Sequence, residues 1–349
     1  MKKSEEFVLR QKANDLRGLV HIKDYILNDG PSRGMRAFDL KNGKGLDVTV
    51  LADRAMDIPS LCWHGINIGL NNKVPVRSAY LFQEDGLRGF LRQFNGGMLT
   101  TCGLTYAGSP AEEDGEMLGL HGVAGNTPAE NVSAMTEYDG DEVVLRIRGQ
   151  VRQSRVFQEN LRLNRVITLH TEKNLLEIHD TVENLGFMPS PMMLIYHINF
   201  GYPMLDAGAR VYCSGKTITP RTPFAADGMN MYSVIEEPEA GREEQCYYHT
   251  NHPKDAFAML HNEKLGVAAV VRFDSEALPL LCQWKSMAAG DYALGLEPTT
   301  SGVVSRPETR QNGMLCTLQP NEARDFRVSI ELTDNIADIA SLKDAAYRP

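Results

Sequence analysis

The chain has 349 residues, with 36 Lys and Arg against 45 Asp and Glu, a net charge of −9. Apolar residues make up 42% and charged residues 23%, an ordinary globular balance that excludes a collagenous or low-complexity chain. No basic run stands out and no segment approaches the ~18 uninterrupted apolar residues of a membrane span, so nucleic acid and bilayer are not expected as partners.

The opening MKKSEEFVLRQKANDL is charged and lacks the apolar centre of a secretory signal. It fits one short helix, and residues 1–30 are expected to form an edge or capping segment. Strand signals dominate after it. Residues 142–151 (EVVLRIRGQV) follow a YDGD turn, and 161–170 and 174–184 flank the polar break TEK as a hairpin. Residues 265–273, 313–318 and 325–332 continue the series. In the last of these Phe326, Val328, Ile330 and Leu332 alternate with Arg327, Ser329 and Glu331, the period of a half-buried strand. Residues 333–345 read as a short helix capped by Thr333 or Asp334, inside a C-terminal helix and tail over 333–349. No linker and no 20–50-residue repeat divides the chain. The expectation is one all-β domain over 1–349, a large antiparallel β-sandwich with few short helices.

Six cysteines (Cys62, Cys102, Cys213, Cys246, Cys282, Cys316) are scattered through apolar contexts without a C-x-x-C pair. Reduced core thiols in a cytoplasmic protein are the expectation.

Three polar residues sit where the pattern asks for apolar ones. His121 interrupts MLGLHGVAGN, with Gly122 and Gly125 beside it. His197 interrupts PMMLIYHINFGYPML. Glu297 ends the apolar run YALGL and precedes Pro298, which cannot donate to a ladder. A buried imidazole or carboxylate needs a partner or a task. A His and a Glu facing one pocket can serve as acid and base. Each alone is equally a satisfied core residue or a solvated strand end. His249 and His252 form H-x-x-H, but no third or fourth ligand is patterned around them. A polar loop lining a pocket is the better account, and no metal is expected.

At these residues the sequence resembles the aldose 1-epimerase, or galactose mutarotase-like, superfamily. The resemblance runs from about residue 30 to 332 through LADRAMDIPSLCWHGINIG, FNGGMLTTCGL, LHGVAGNTPAENV, LIYHINFGYPML and QWKSMAAGDYALGLEPTT. It implies the sandwich fold of that family, no cofactor, and a small sugar as substrate. It implies that His121 in LHG helps hold the sugar, that His197 in HINF is the general acid, and that Glu297 in LEP is the general base. It also implies a sugar-binding arginine, for which Arg92 in FLRQFNGG and Arg54 in ADRAMD compete, and a sugar-binding aspartate, for which Asp255 in DAFAML competes with His249. The QWK triplet departs from the family pattern. Trp284 there is placed to stack on a sugar face and Lys285 to meet an anionic substituent, with a core tryptophan beside a snorkelling lysine as the equal alternative.

The activity so implied is ring opening and reclosure of a cyclic hemiacetal, interconverting anomers. The rivals are a non-catalytic carbohydrate-binding or regulatory protein, an epimerase of a phosphorylated or acidic sugar, and a lyase or hydrolase of a saccharide chain. An exposed sheet edge leaves a homodimer open.

Overall fold

The computed structural model describes residues 1–346; residues 347–349, the end of the expected C-terminal tail, lie outside the described residues. Two large antiparallel sheets carry the chain. One has twelve strands, with the consecutive neighbours Leu99–Leu104, Ser190–Phe200, Asp291–Thr299, Leu280–Ala288 and Gln245–Thr250 towards one end. The other has eight, running from Glu130–Asp139 through Glu142–Ser154, Asn160–His170, Leu175–Asn184 and Ala323–Thr333 to Arg210–Cys213.

Period-two patterning drives this arrangement. Along Ala323–Thr333 the side chains of Phe326, Val328, Ile330 and Leu332 are buried while Arg327 is exposed. They join Leu163, Ile167 and Ile178 of the eight-stranded sheet, and Leu194, Tyr196, Leu294 and Leu296 of the twelve-stranded one, in one core. Each fully buried Leu or Ile contributes about 1.5–3 kcal/mol of transfer free energy.

The sequence-read strands fall within or largely overlap observed ones, but 313–318 shrinks. Only Cys316–Leu318 pairs, against Ser190–Met192. The chain before it is the helix Arg306–Gln311 followed by Gly313 at φ +70°, a left-handed turn that an extended strand cannot contain.

At the N-terminus a helix spans Lys3–Ala13 and His21–Ile26 forms the outermost strand of the twelve-stranded sheet. The terminal amine donates to Thr171 Oγ1 at 2.7 Å. The C-terminal helix is Ile336–Ala345. Its cap is Asn335 rather than Thr333 or Asp334: the side-chain oxygen Asn335 Oδ1 accepts from Ala337 N at 2.9 Å and Asp338 N at 3.4 Å. Ile339 packs this helix on Phe257, Met259 and Val270, on the outer face of the eight-stranded sheet. None of the helices is long and apolar enough to cross a membrane among the described residues.

Candidate active site

The five consecutive strands named above turn one face to the core and the other outward. On the outward face Cys102, Met193, Ile195, Cys246, Cys282 and Ala293 form a second apolar cluster with Phe90 and Phe94. Above it lies a cavity of about 580 Å³, of the size that holds a small ligand. His121, His197, Glu297 and Trp284 line it.

His197 and Glu297 meet because of strand register. Ile195 pairs with Thr299 and Asn199 with Gly295. The two positions midway between those pairs are His197 and Glu297. Their side chains therefore leave the same face, and His197 Nδ1 lies 3.3 Å from Glu297 Oε1. The same Nδ1 lies 2.5 Å from Asn199 Oδ1, while the Asn199 amide donates to His197 O and Gly96 O. Asn199 thus presents a carbonyl to the ring, which fixes a proton on Nδ1 and leaves Nε2 for a ligand.

The strand does not end at Glu297 but continues through Pro298 to Thr299; Gly295 is what makes room for a carboxylate within it. A Cβ there would sit 2.2 Å from Glu297 Oε1. The missing side chain, two residues earlier on the same face, is the space the carboxylate fills. Glu297 is 1% exposed and its Oε1 has no hydrogen-bond donor among the described residues. Burial pushes its pKa well above 4.5; the charges of Cys246 and Glu244 push the same way and Arg221 opposes. Burial pulls the His197 pKa down to about 4, against the Asn199 hydrogen bond. Burial thus favours the neutral form of each partner, the protonated Glu297 and the uncharged His197.

His121 approaches from a loop. It is buried, its Nδ1 is without a partner among the described residues, and its ring lies 5.6 Å from that of His197 and 4.7 Å from that of Phe90. Its φ is +61°, a region that costs a non-glycine residue about 1 kcal/mol or more and clusters at functional sites. Gly122 follows at φ +74°, where a Cβ would come within 2.4 Å of the carbonyls of Gly103 and Tyr106. Gly122 is thus a steric requirement of this turn. Burial holds the His121 pKa well below 6.5, helped by His197 and Arg221.

Trp284 forms one wall. Its ring centroid is 5.5 Å from that of His197, and its Nε1 donates to Glu244 Oε2 at 2.7 Å.

Five other sequence candidates lie elsewhere. Lys285 is adjacent to Trp284 on one strand, so it points to the opposite face. There it is fully buried and pairs with Glu236 at 2.6 Å. His249 is on that inner face too, with Nε2 2.9 Å from Gln283 Oε1. Arg54 is buried behind the site, where its guanidinium donates to the carbonyls of Gly125, Arg77 and Gln93. Arg92 ends the short helix Gly86–Leu91 and is exposed, 3.4 Å from Asp85. Asp255 begins the strand Asp255–Asn262 of the other sheet. A short motif, on which Arg92, Arg54 and Asp255 were chosen, says nothing about which sheet face a side chain leaves.

Two cavity residues, Arg221 and Glu244, and one supporting residue, Asn199, were missed. Asn199 was findable, being two positions from His197 on one strand face. Arg221, within PRTPF, and Glu244, just before the strand Gln245–Thr250, line the cavity, and no pattern marks them.

The family model described as Domain of unknown function (DUF4432) matches residues 32–332. The chain belongs to this family. No curated protein matches this DUF4432 sequence. Among solved structures it is similar to a candidate aldose 1-epimerase from Klebsiella pneumoniae, with 27% identity and a TM-score of 0.87 over 93% of this chain and 86% of the other. A galactose mutarotase-like protein from Clostridium acetobutylicum has 14% identity and a TM-score of 0.64 over 90% and 99%. A galactose 1-epimerase from Lactobacillus acidophilus has 13% identity and a TM-score of 0.59 over 90% and 99%. The last two share the fold. This DUF4432 chain is a galactose mutarotase-like β-sandwich.

Proposed function

We propose that this DUF4432 protein is an aldose 1-epimerase, which opens and recloses a cyclic sugar in the cavity above His197 and Glu297. The observation that carries the reading is the buried cross-strand contact of these two groups, 3.3 Å apart at the floor of the cavity. Glu297 takes the proton of the anomeric hydroxyl while His197 delivers one from Nε2 to the ring oxygen. The C1–O5 bond breaks and C1 becomes an aldehyde. Rotation about C1–C2 presents its other face, and the reverse transfers reclose the ring.

The cycle needs one proton on the pair, and burial keeps one there. Relative to the neutral pair, the form that reacts has lost the Glu297 proton and carries one on each ring nitrogen of His197, since Nδ1 already faces the Asn199 carbonyl and Nε2 is the nitrogen that serves as the acid. Arg221 favours the reactive form by drawing the Glu297 pKa down. His121 supplies a second ring nitrogen toward the sugar, and Trp284 a flat apolar wall for the C–H face of a pyranose.

One-dimensional exchange NMR on a panel of free aldoses tests the reading. Magnetisation transfer between α and β anomeric protons above the uncatalysed rate is expected for at least one sugar. Binding without exchange for every sugar bound would overturn it in favour of a non-catalytic carbohydrate-binding protein.

A further inference from the structure

Arg221 follows Pro220, the last residue of the strand Thr217–Pro220. Its backbone N–H donates to Cys246 O at 2.9 Å, which ties the root of the side chain to the strand Gln245–Thr250. The side chain is exposed but lines the cavity. There Nη2 donates to Ser109 Oγ at 3.2 Å and Nη1 lies 3.9 Å from Cys246 Sγ.

A hydroxyl and a sulfur are unusual company for an arginine in this molecule. Arg165 is 2.7 Å from Asp180, Arg242 is 2.7 Å from Glu236, and Arg306 meets Glu113. Arg221 has no carboxylate in ion-pair contact among the described residues. The other charged groups lining the cavity are engaged. Lys73 and Asp291 pair at 2.7 Å, Glu244 accepts the Trp284 indole N–H, and Glu297 faces His197. Of the lysine and arginine side chains lining the cavity, Arg221 is the one without a carboxylate in ion-pair contact among the described residues.

We propose that Arg221 is a specificity-determining residue that binds an anionic substituent of the sugar, a carboxylate or a phosphate. This rests on the reading of the cavity as an aldose site and adds the class of aldose. A planar fork of N–H donors matches either anion in a bidentate geometry. The sequence reading assigned an anionic group to Lys285, which does not reach the cavity. Arg221 does, from a segment that the sequence reading left without a function.

The test measures dissociation constants of the full-length protein for matched probes: galactose, galacturonate and galactose 6-phosphate, and the three glucose counterparts. Anomeric exchange is recorded on the same samples. At least one anionic probe is expected to bind about tenfold or more tighter than its neutral parent. Arg221→Gln should remove that difference and Arg221→Lys should keep part of it, with thermal melting confirming that both fold. Equal binding of charged and neutral probes, no binding of any anionic probe, or a preference that survives Arg221→Gln would overturn the proposal. A preference without exchange would uphold Arg221 and reject the epimerase; exchange of neutral sugars without a preference would do the reverse.

Discussion

His197 and Glu297 occupy facing positions of one antiparallel ladder, midway between the pairs Ile195–Thr299 and Asn199–Gly295, with Nδ1 and Oε1 3.3 Å apart. Two residues a hundred positions apart in sequence are thus set by the least deformable element of the fold, the centre of a twelve-stranded sheet. No loop has to close for them to meet. A pair held this way is preorganised for proton transfer.

Replacing either member removes one of the two groups that exchange protons with the sugar. Glu297→Gln and His197→Gln are each expected to lower anomeric exchange about 10²–10⁴-fold, the usual range for one positioned acid or base. The double variant should fall little further than the worse single one, because the groups act as a unit. Exchange NMR on a sugar that the wild type turns over reads this directly.

Gly295 gives a test that leaves both reacting groups in place. A Cβ at 2.2 Å from Glu297 Oε1 cannot coexist with the observed carboxylate. Gly295→Ala is expected to displace Glu297 and cut turnover at least tenfold, while the melting temperature drops modestly because the strand keeps its ladder. A crystal structure of the variant should show the carboxylate moved and the strand intact.

That glycine also marks what was legible in the sequence. His121, His197 and Glu297 stood out because each breaks an apolar run, and burial of such a group is costly enough to be visible in a pattern. The alternation of Phe326, Val328, Ile330 and Leu332 was legible for the same reason. Arg221 and Glu244 were not, since an exposed arginine in a turn looks like any other until a sheet face is placed beneath it. Arg92 and Asp255 fall outside the cavity, because a short motif fixes order along the chain and leaves the facing of side chains open.

The opposed shifts of the pair set how stability follows pH. Glu297 has a folded pKa raised well above 4.5, so between those values the folded state binds the extra proton and stability falls as pH rises. A fully developed one-proton difference is worth about 1.4 kcal/mol per pH unit. Glu297→Gln removes this slope. Its melting temperature relative to wild type should climb as pH is raised from 5 to 8. His197 and His249 act in the other sense. Their folded pKa values are pulled down to about 4, so the unfolded chain binds more protons between about 6.5 and 4, and their share of stability is lost on acidification through that window. Melting curves across pH 4–8 separate the two. Catalysis, needing one proton on the pair, should be bell-shaped in the same range.

Arg92, exposed beside Asp85 and outside the cavity, should be dispensable. Arg92→Ala is expected to leave exchange rate and melting temperature within experimental error of wild type. A loss of activity on folded protein would return the sugar-binding role to it.

Trp284 and Lys285 are neighbours with opposite duties, because successive residues of a strand leave opposite faces. Trp284 stands over the cavity with its ring 5.5 Å from His197. Lys285 is fully buried on the inner face, bonded to Met231 O at 2.9 Å and Glu236 at 2.6 Å. Trp284→Ala should therefore raise the sugar KM or dissociation constant severalfold with little change in melting temperature. Lys285→Met should do the converse. Breaking a buried pair usually costs 3–5 kcal/mol, and Glu236 keeps Arg242 at 2.7 Å, so about 3 kcal/mol is expected, with sugar affinity of the folded fraction unchanged. Denaturant melts and binding titrations on the two variants check both halves. If Lys285→Met weakened binding of anionic sugars without loss of stability, the face assigned to Lys285 would be wrong, and with it the division of this strand between cavity and core.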